Sequence, residues 1–313
     1  MSNKILILGA SGFIGKNLAL FFSKKTKIIA IYRTKIPFIN KNIKWIKCDL
    51  TKPTQVKNLF DDIDIVINAA AITSGSKDIV YKPNLHVTDN VIMNSNILRE
   101  VYENRSVKHF IFFSCTVMYQ SSKKKQNEKM FNYKIVDKYF GIGWTKVYVE
   151  KLCEFYSNLI NTKFTVIRHS NIYGPHDKFD LKKSHVIGAT ITKVMKAKKE
   201  VEIWGKGNEI RDFIYISDLI NFIKLTIRHQ KTKFKIYNCG SGEGIEVLDL
   251  VNLIIKVSQK KLIIKKKASA PYIDFNLILD SKKAKNELGW VPSVNLKQGL
   301  KKTIDWWKLN FND

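Results

Sequence analysis

Residues 4–15 have the sequence KILILGASGFIG, and this stretch decides the fold that we expect. The apolar run Ile5–Leu8 predicts a short buried strand, and the glycines after it predict a tight turn into a helix. Gly9 permits the turn, Gly12 lets the backbone approach a pyrophosphate, and Gly15 lets the helix pack closely on the strand. The first turn of such a helix offers free N–H groups to phosphates. This order predicts a dinucleotide-binding site formed by Gly9, Ser11, Gly12, Phe13, Ile14 and Gly15.

Downstream of this turn, short runs rich in Ile, Val and Phe alternate with segments of helical periodicity. The predicted strands are Ile28–Tyr32, Ile43–Ile46, Ile63–Ala69, Phe110–Phe113 and Phe164–Ile167. The predicted helices include Lys16–Ser23, Asn90–Glu103 and Trp144–Leu159. Continuously apolar strands separated by helices are typical of a parallel sheet that is covered on both faces. We therefore expect an α/β fold of the Rossmann type with a doubly wound parallel sheet.

The pattern changes after Gly174, where we expect a smaller lobe to begin. This part has a predicted helix near Val186–Lys198, a short strand at Val201–Trp204 and a last helix at Leu296–Leu309. A strand and helix within Ile214–His229 should return to the core. We predict a Rossmann dinucleotide-binding domain from residues 1–170 with about 213–229, and a C-terminal substrate-binding lobe from residues 171–212 and 230–313. A ligand cleft should then lie at the carboxyl ends of the strands.

The composition argues against several classes of protein. The net charge is +27, but the lysines are spread along the whole chain, so we expect no nucleic-acid partner. No apolar run reaches the roughly 18 residues that a spanning helix needs, and the N-terminus lacks a signal-peptide pattern, so we expect a cytoplasmic protein without membrane contact. The cysteines lack CxxC spacing, which argues against a disulfide scaffold and a metal site. They are Cys48, Cys115, Cys153 and Cys239.

Two further segments fit a dinucleotide site. Asp49 and Leu50 follow the third strand, where Asp49 could accept a hydrogen bond from an adenine amine. Small residues follow the fourth strand and let a ribose or nicotinamide lie against the backbone; they are Ala69, Ala70 and Ala71.

The end of the second strand bears on the choice of cofactor. An acidic residue there would bind the ribose hydroxyls of NAD, and this chain has Arg33 and Lys35 instead. Their charges could pair with the 2′-phosphate of NADP. These residues by themselves favour NADP.

Three motifs follow the glycine turn in a characteristic order, namely residues 84–90 (NLHVTDN), 171–175 (NIYGP) and 211–218 (RDFIYISD). Together they resemble the extended short-chain dehydrogenase/reductases, the NAD-dependent epimerase/dehydratase family, over nearly the whole chain. Residues 174–180 (GPHDKFD) and 184–187 (SHVI) are similar to the GDP-fucose synthase branch. The resemblance implies a GDP-linked sugar as substrate, contacted by Asn171, His185, Lys193, Trp204 and Arg211, with Lys193 and Arg211 at its pyrophosphate.

The resemblance also implies a catalytic Tyr-x-x-x-Lys helix, from which this chain departs. Lys146 is present, but Ile142 stands where the proton-transferring tyrosine is expected. One explanation is a substitute base, namely Lys146 itself, His185, Thr116 or an ordered water. Another is Tyr139, seven residues before Lys146 and therefore on nearly the same face of a helix. The third is a protein that binds the cofactor without turning over a substrate.

A second departure affects epimerisation. The segment Ser114-Cys115-Thr116 falls where the family has a Ser or Thr that binds the reacting oxygen. A thiol is a poor hydrogen-bond donor, so Thr116 or Ser114 could replace Cys115 in that role. The branch pairs a cysteine with the histidine that matches His185, and this chain has Val117 in place of that cysteine. An epimerase needs an acid and a base, and Val117 can be neither.

These two departures leave hydride transfer without epimerisation as the predicted activity. The resemblance implies oxidation at C4 of a GDP-linked sugar, with GDP-heptose as the first candidate, in capsule or surface polysaccharide biosynthesis. An oxidation runs more easily against an NAD pool, so we expect NAD, with NADP not excluded. The alternatives are a GDP-sugar epimerase/reductase and a catalytically impaired scaffold. The apolar faces of the helices Asn90–Glu103 and Trp144–Leu159 form a dimer interface in the family and imply a homodimer or a higher homo-oligomer.

Overall fold

The computed structural model describes residues 3–73, 76–181, 184–267, 270 and 272–311. The strands are β1 Ile5–Leu8, β2 Ile28–Tyr32, β3 Ile43–Lys47, β4 Ile65–Asn68, β5 His109–Phe113, β6 Lys125–Gln126, β7 Lys163–His169, β8 Asn171–Tyr173, β9 Glu200–Trp204, β10 Ile210–Tyr215, β11 Phe234–Cys239, β12 Gly244–Glu246, β13 Ile263–Lys267 and β14 Ile278–Leu279. The α-helices are α1 Phe13–Phe22, α2 Pro53–Val56, α3 Ser76–Tyr81, α4 Thr88–Asn104, α5 Phe140–Leu159, α6 Val186–Lys196, α7 Ile216–His229, α8 Val247–Val257, α9 Lys282–Leu288 and α10 Leu296–Phe311.

A seven-stranded parallel sheet forms the centre of the molecule, in the order β11-β7-β5-β4-β1-β2-β3. The chain moves outward from β1 through β2 to β3 and then crosses to β4 on the other side of β1. Ile7 pairs with Ala30 on one side and with Ile67 on the other. This order confirms the predicted Rossmann-type α/β fold, and it puts the topological switch point between β1 and β4, where such sheets bind ligands.

Both faces of the sheet are buried, because alternate residues of each strand point to opposite sides. Ile5 and Ile7 belong to one apolar cluster, together with Leu18 of α1. Leu6 and Leu8 belong to a second cluster, together with Phe110 of β5. The unbroken apolar strands in the sequence are therefore explained by helices on both faces.

Strand β11 corrects one detail of the predicted division into domains. Phe234–Cys239 was expected in the substrate-binding lobe, and it pairs with β7 as the last strand of the main sheet. It is an edge strand whose first three residues are only partly buried, so its sequence lacks the continuous apolar run of the inner strands. The division into a Rossmann domain and a second lobe otherwise stays a proposal.

The remaining strands form small sheets. One has the order β12-β10-β8, β13 pairs with β9, and β14 pairs with β6. The β6–β14 pair joins residues 125–126 to residues 278–279, so a segment that follows β5 contacts the C-terminal part of the chain.

Candidate active site

The glycine turn has the close backbone approach that the sequence predicts. Gly9 has a φ of +70°, and a Cβ atom there would lie 2.6 Å from the Cα of Ala70, at the end of β4. A Cβ on Gly15 would lie 2.3 Å from the Gly9 carbonyl oxygen. Gly12 precedes the first residue of α1 in extended conformation and leaves the helix start without a side-chain cap. The free N–H groups of this helix start are thus open to a ligand.

A cavity of about 350 Å³ lies beside this turn. Its wall is built from the start of α1, the ends of β4 and β5, the first half of α5 and the segment after β7. The cavity brings together many of the predicted site residues, namely Gly12, Phe13, Ile14, Ala69, Ala70, Ala71, Ser114, Cys115, Thr116, Lys146, Asn171 and His185. The predicted cofactor turn and the predicted catalytic residues therefore share one site.

Lys146 is held at the end of β5. Its Nζ atom donates a hydrogen bond to the carbonyl oxygen of Phe113 at 2.8 Å and lies 4.8 Å from the centre of the Phe112 ring. Burial lowers the pKa of Lys146, while the nearby Cys115 and Glu150 raise it. The lysine is therefore fixed in position at the cavity wall.

The three residues after β5 differ in what their side chains can offer. The Ser114 hydroxyl donates to Glu150 at 2.5 Å, and Glu150 forms a fully buried ion pair with Arg168 at 2.6 Å. The hydroxyl proton of Ser114 is thus already used in the hydrogen bond to Glu150. Burial raises the pKa of the Cys115 thiol, which stays neutral at neutral pH. The Thr116 side chain is buried and forms no hydrogen bond within the described residues, so it is the hydroxyl best able to donate to a ligand.

The positions of the missing acid–base groups also lie in the cavity wall. Ile142 and Val117 both line it, so apolar side chains occupy the two places where the family resemblance implies chemistry. Tyr139 lines the cavity as well. It ends a 3-10 turn, Asp137–Tyr139, and immediately precedes α5.

His185 precedes the first residue of α6 and is open to the cavity. Enclosure by the cavity walls lowers the pKa of the imidazole, and the positive charge of Lys178 and the nearby His86 lower it further. The ring is therefore neutral at neutral pH, and its lowered pKa makes it a weak base.

Several titratable residues of the cavity were not predicted as site residues, and Asp177 and His169 are two of them. Burial raises the pKa of Asp177 to about 7, against hydrogen bonding and charge from Lys178. Burial lowers the pKa of His169 to about 4, and its Nδ1 atom lies 2.8 Å from the Ser170 carbonyl oxygen. The motif GPHDKFD contains Asp177 and could have drawn attention to it, whereas His169 has no signal in the sequence.

Asn90, the last residue of the NLHVTDN motif, and Asn94 one turn further along α4 have a structural role. Asn90 accepts a hydrogen bond from the Ile72 N–H at 3.0 Å and donates to the Ile72 and His86 carbonyls. Asn94 accepts from Asn68 at 2.9 Å. These bonds tie α4 to the end of β4 and so fix the cavity wall.

The predicted substrate residues fall into two groups. Asn171 lines the cavity with His185, and it donates to the Asp212 carbonyl oxygen at 3.0 Å. Lys193, Trp204 and Arg211 do not line the cavity.

Lys193 and Trp204 lie together, and Arg211 is attached to a different segment. The Lys193 Nζ atom is 4.9 Å from the centre of the Trp204 ring and donates to the Glu202 carbonyl oxygen at 3.0 Å. Arg211 donates to the Ile273 carbonyl oxygen at 3.0 Å, while its Nη1 atom is buried without a partner among the described residues. A cationic group with a free donor therefore lies beside the cavity but outside its wall.

The residues predicted for the adenosine end lie at the ends of β2 and β3, away from this cavity wall. Arg33 is exposed and its charge acts on Asp49. Hydrogen bonds from the Thr51 hydroxyl and N–H are the main cause of the lowered pKa of Asp49. Leu50 is buried, and its carbonyl oxygen accepts from Asn96 at 3.2 Å.

Within the described ranges, no His, Cys, Asp and Glu side chains are grouped in a way that could hold a metal ion. None of the helices in that part of the chain is long and apolar enough to cross a membrane.

Comparison with known proteins agrees with this geometry. GDP-L-colitose synthase of Yersinia pseudotuberculosis is 28% identical over 313 residues, covering 97% of this chain and 97% of that protein. dTDP-4-dehydro-6-deoxy-D-allose reductase of a Streptomyces species is 25% identical over 320 residues, covering 98% and 96%. The crystal structure of UDP-glucuronic acid 4-epimerase from Bacillus cereus, in complex with UDP-glucuronic acid and NAD, has a TM-score of 0.86 at 25% identity, covering 98% of this chain and 100% of that one.

The family model named NAD dependent epimerase/dehydratase matches residues 5–240. Its span includes the glycine turn, the cavity and the whole parallel sheet. The family's name and its NAD-bound structural neighbour confirm NAD as the expected cofactor. The chain belongs to the NAD dependent epimerase/dehydratase family.

Proposed function

We propose that the protein is an NAD-dependent oxidoreductase that oxidises C4 of a nucleotide-linked sugar and does not epimerise it. The observation that carries the proposal is the cavity itself. The glycine turn, Lys146 and Thr116 line one cavity. The same cavity is lined by Ile142 and Val117, which stand where the family resemblance implies the acid–base groups. Hydride transfer needs the first set of residues, whereas epimerisation needs groups that a valine cannot supply.

The residues present fit NAD. A Cβ atom at Gly9 or Gly15 would collide with backbone, so the turn brings the start of α1 directly against the cavity. The N–H groups there would bind the pyrophosphate, and Ala69, Ala70 and Ala71 leave room for the nicotinamide ribose. When bound, NAD supplies the acceptor for the hydride from the sugar.

The chain's own residues would then position the sugar. Lys146, fixed by the Phe113 carbonyl oxygen, would hold the nicotinamide ribose. Thr116 would donate a hydrogen bond to the reacting oxygen at C4. Asn171 and the neutral His185, which also line the cavity, would contact the sugar.

The nucleotide part of the substrate is proposed to be GDP. The GDP-L-colitose synthase of Yersinia pseudotuberculosis supports this choice, and so does the SHVI segment that brings His185 to the cavity. Lys193, Trp204 and Arg211 would bind the base and the pyrophosphate. GDP-heptose is the first candidate, which would place the reaction in capsule or surface polysaccharide biosynthesis.

The test is an incubation of purified protein and NAD with GDP-heptose, GDP-mannose, and UDP- or dTDP-hexoses. With a GDP-linked substrate, we expect a keto-sugar product that mass spectrometry shows to be two hydrogens lighter than that substrate. One reduced cofactor should form for each sugar oxidised. Labelled water distinguishes the alternatives, because an epimerase would also exchange carbon-bound hydrogens beside the keto group. Binding of GDP sugars without reduction of any cofactor would instead indicate a scaffold and refute the proposal.

A further inference from the structure

The proposed oxidation requires a group that takes the proton from the sugar hydroxyl, and Ile142 cannot be that group. The cavity wall holds several titratable or hydroxyl side chains, and three of them already form other hydrogen bonds. The Ser114 proton is committed to Glu150, and Lys146 donates to a backbone carbonyl. Nδ1 of His169 lies at hydrogen-bond distance from the Ser170 carbonyl oxygen.

Tyr139 differs from these three residues because, like Thr116, it forms no side-chain hydrogen bond with any residue that the structure describes. Its side chain as a whole is only 8% exposed, but its hydroxyl oxygen keeps accessible surface. Because Tyr139 lines the cavity, this hydroxyl is available to a ligand there.

The position of Tyr139 is fixed by its surroundings. Its N–H donates to the Val136 carbonyl oxygen at 2.7 Å within the 3-10 turn. Its ring packs edge-on against Phe275, with the ring centres 5.2 Å apart. Tyr139 directly precedes α5, and its side chain lines the same cavity as Lys146 of that helix.

Burial and two neighbouring groups act on the protonation of Tyr139. Burial raises the pKa of the phenol, the Arg211 guanidinium lowers it, and the Cys115 thiol raises it. Arg211 and Tyr139 flank the same ring, since the Arg211 guanidinium lies 6.0 Å from the centre of Phe275. A cation from the predicted substrate-binding residues thus acts directly on the phenol.

We propose that Tyr139 exchanges the proton with the reacting sugar hydroxyl, in place of the tyrosine that Ile142 has replaced. This assignment rests on the proposed function. In the oxidation, the C4–H bond breaks and its hydride goes to NAD, while the O–H bond breaks and its proton goes to the Tyr139 phenolate oxygen. The phenol then releases that proton to solvent, so one ketone, one reduced cofactor and one proton are formed.

The pH dependence follows from the charge state. The phenol is protonated at neutral pH, whereas the oxidation needs the phenolate. The oxidation rate should therefore rise with pH well above neutrality, and the reverse reduction, which needs the phenol, should fall over the same range. The titratable or charged groups that act on Tyr139 are Arg211 and Cys115, and Arg211→Gln, which removes the positive charge that lowers the pKa of the phenol, should displace the profile to higher pH.

The test compares Tyr139→Phe with Tyr133→Phe, an exposed tyrosine outside this cavity. Tyr139→Phe should lower kcat by about 10²–10⁴-fold, the usual contribution of general acid–base catalysis, and remove the alkaline rise. Its melting temperature and its affinity for NAD should stay at wild-type values, and its affinity for the GDP sugar should fall by no more than about tenfold, the loss of one hydrogen bond. An absorbance titration of Tyr139→Phe should show one tyrosinate fewer than that of the wild type. In the wild type, binding of the sugar nucleotide should shift the pKa of Tyr139. Tyr133→Phe should keep the wild-type rate and pH profile.

A second variant separates chemistry from packing. Tyr139→His retains a titratable group, so it should recover part of the rate with a pH profile displaced to lower pH. A Tyr139→Phe enzyme with the wild-type rate and profile would overturn the assignment and leave the oxidoreductase function standing. A wild-type protein that binds NAD but oxidises no nucleotide sugar would overturn both.

Discussion

The approach of α1 to the glycine turn can be tested by adding a single methyl group. In Gly15→Ala the new Cβ atom would lie 2.3 Å from the Gly9 carbonyl oxygen and 2.8 Å from the Ala10 Cα. Both neighbours are backbone atoms, so the start of the helix must move away from β1. Overpacking of this kind costs about 1–3 kcal/mol of stability. Because the same movement displaces the N–H groups that would bind the pyrophosphate, NAD affinity should fall at least about tenfold, or 1.4 kcal/mol.

Two matched glycine variants separate the causes. In Gly12→Ala the new methyl would meet only the Gly9 carbonyl oxygen, at 3.3 Å, so stability should change little. NAD affinity should still fall, because Gly12 lines the cavity. Gly289 lies at the end of α9 with a φ of +67° and nothing within 4 Å of an added Cβ. Gly289→Ala should cost about 1–2 kcal/mol through its left-handed backbone and leave NAD affinity unchanged.

The assay measures the free energy of unfolding in urea and the NAD dissociation constant by calorimetry for all three variants. Gly15→Ala should lose both stability and affinity, Gly12→Ala only affinity, and Gly289→Ala only stability. A Gly15→Ala protein with wild-type stability and wild-type NAD affinity would refute the close packing of helix on turn. It would also refute the assignment of the pyrophosphate to this helix start.

Three further predictions concern other parts of the molecule. Burial lowers the pKa of His109 to about 3. The free energy of unfolding should therefore be highest above pH 6.5 and should fall by about 1.4 kcal/mol per pH unit between pH 6.5 and 3, because the unfolded chain binds the proton first. His109→Gln should flatten that slope in urea titrations. Ile142→Tyr in the Tyr139→Phe background should restore measurable cofactor reduction, and an inactive double variant would count against a missing proton carrier. Phe155 is half exposed on α5, so Phe155→Glu should convert the proposed homodimer to monomer in light scattering, whereas a monomeric wild type would contradict the dimer.

The sheet could be predicted from the sequence because its inner strands are apolar without interruption. β1 and β2 have the predicted bounds, and β4 is shorter than predicted by three residues. Strand β11 could not be recognised in the same way. At the edge of the sheet only one side of the strand is paired, so polar and partly exposed residues are tolerated there and the apolar signal weakens.

The site was predictable where function depends on backbone shape and less so where it depends on tertiary packing. The glycines could be assigned because only glycine fits their spacing to β4 and to one another. Ser114 could be placed at the cavity, but its bond to Glu150 joins residues 36 positions apart and has no local signal. The same holds for Asp177 and His169, whose altered pKa values arise from burial that only the folded chain creates.

The weight given to Tyr139 depended on where α5 begins. The sequence predicts the helix from Trp144, which leaves Tyr139 five residues outside it and makes its direction arbitrary. In the structure the helix begins at Phe140, so Tyr139 is the residue next to it and its direction is set by the first helical turn and by the preceding 3-10 turn. A difference of four residues in one helix boundary therefore decides whether the position of this phenol could be predicted from the sequence. Local sequence defines helix boundaries less well than any other feature of secondary structure, and Tyr139, the strongest candidate for proton transfer, lies at the start of α5.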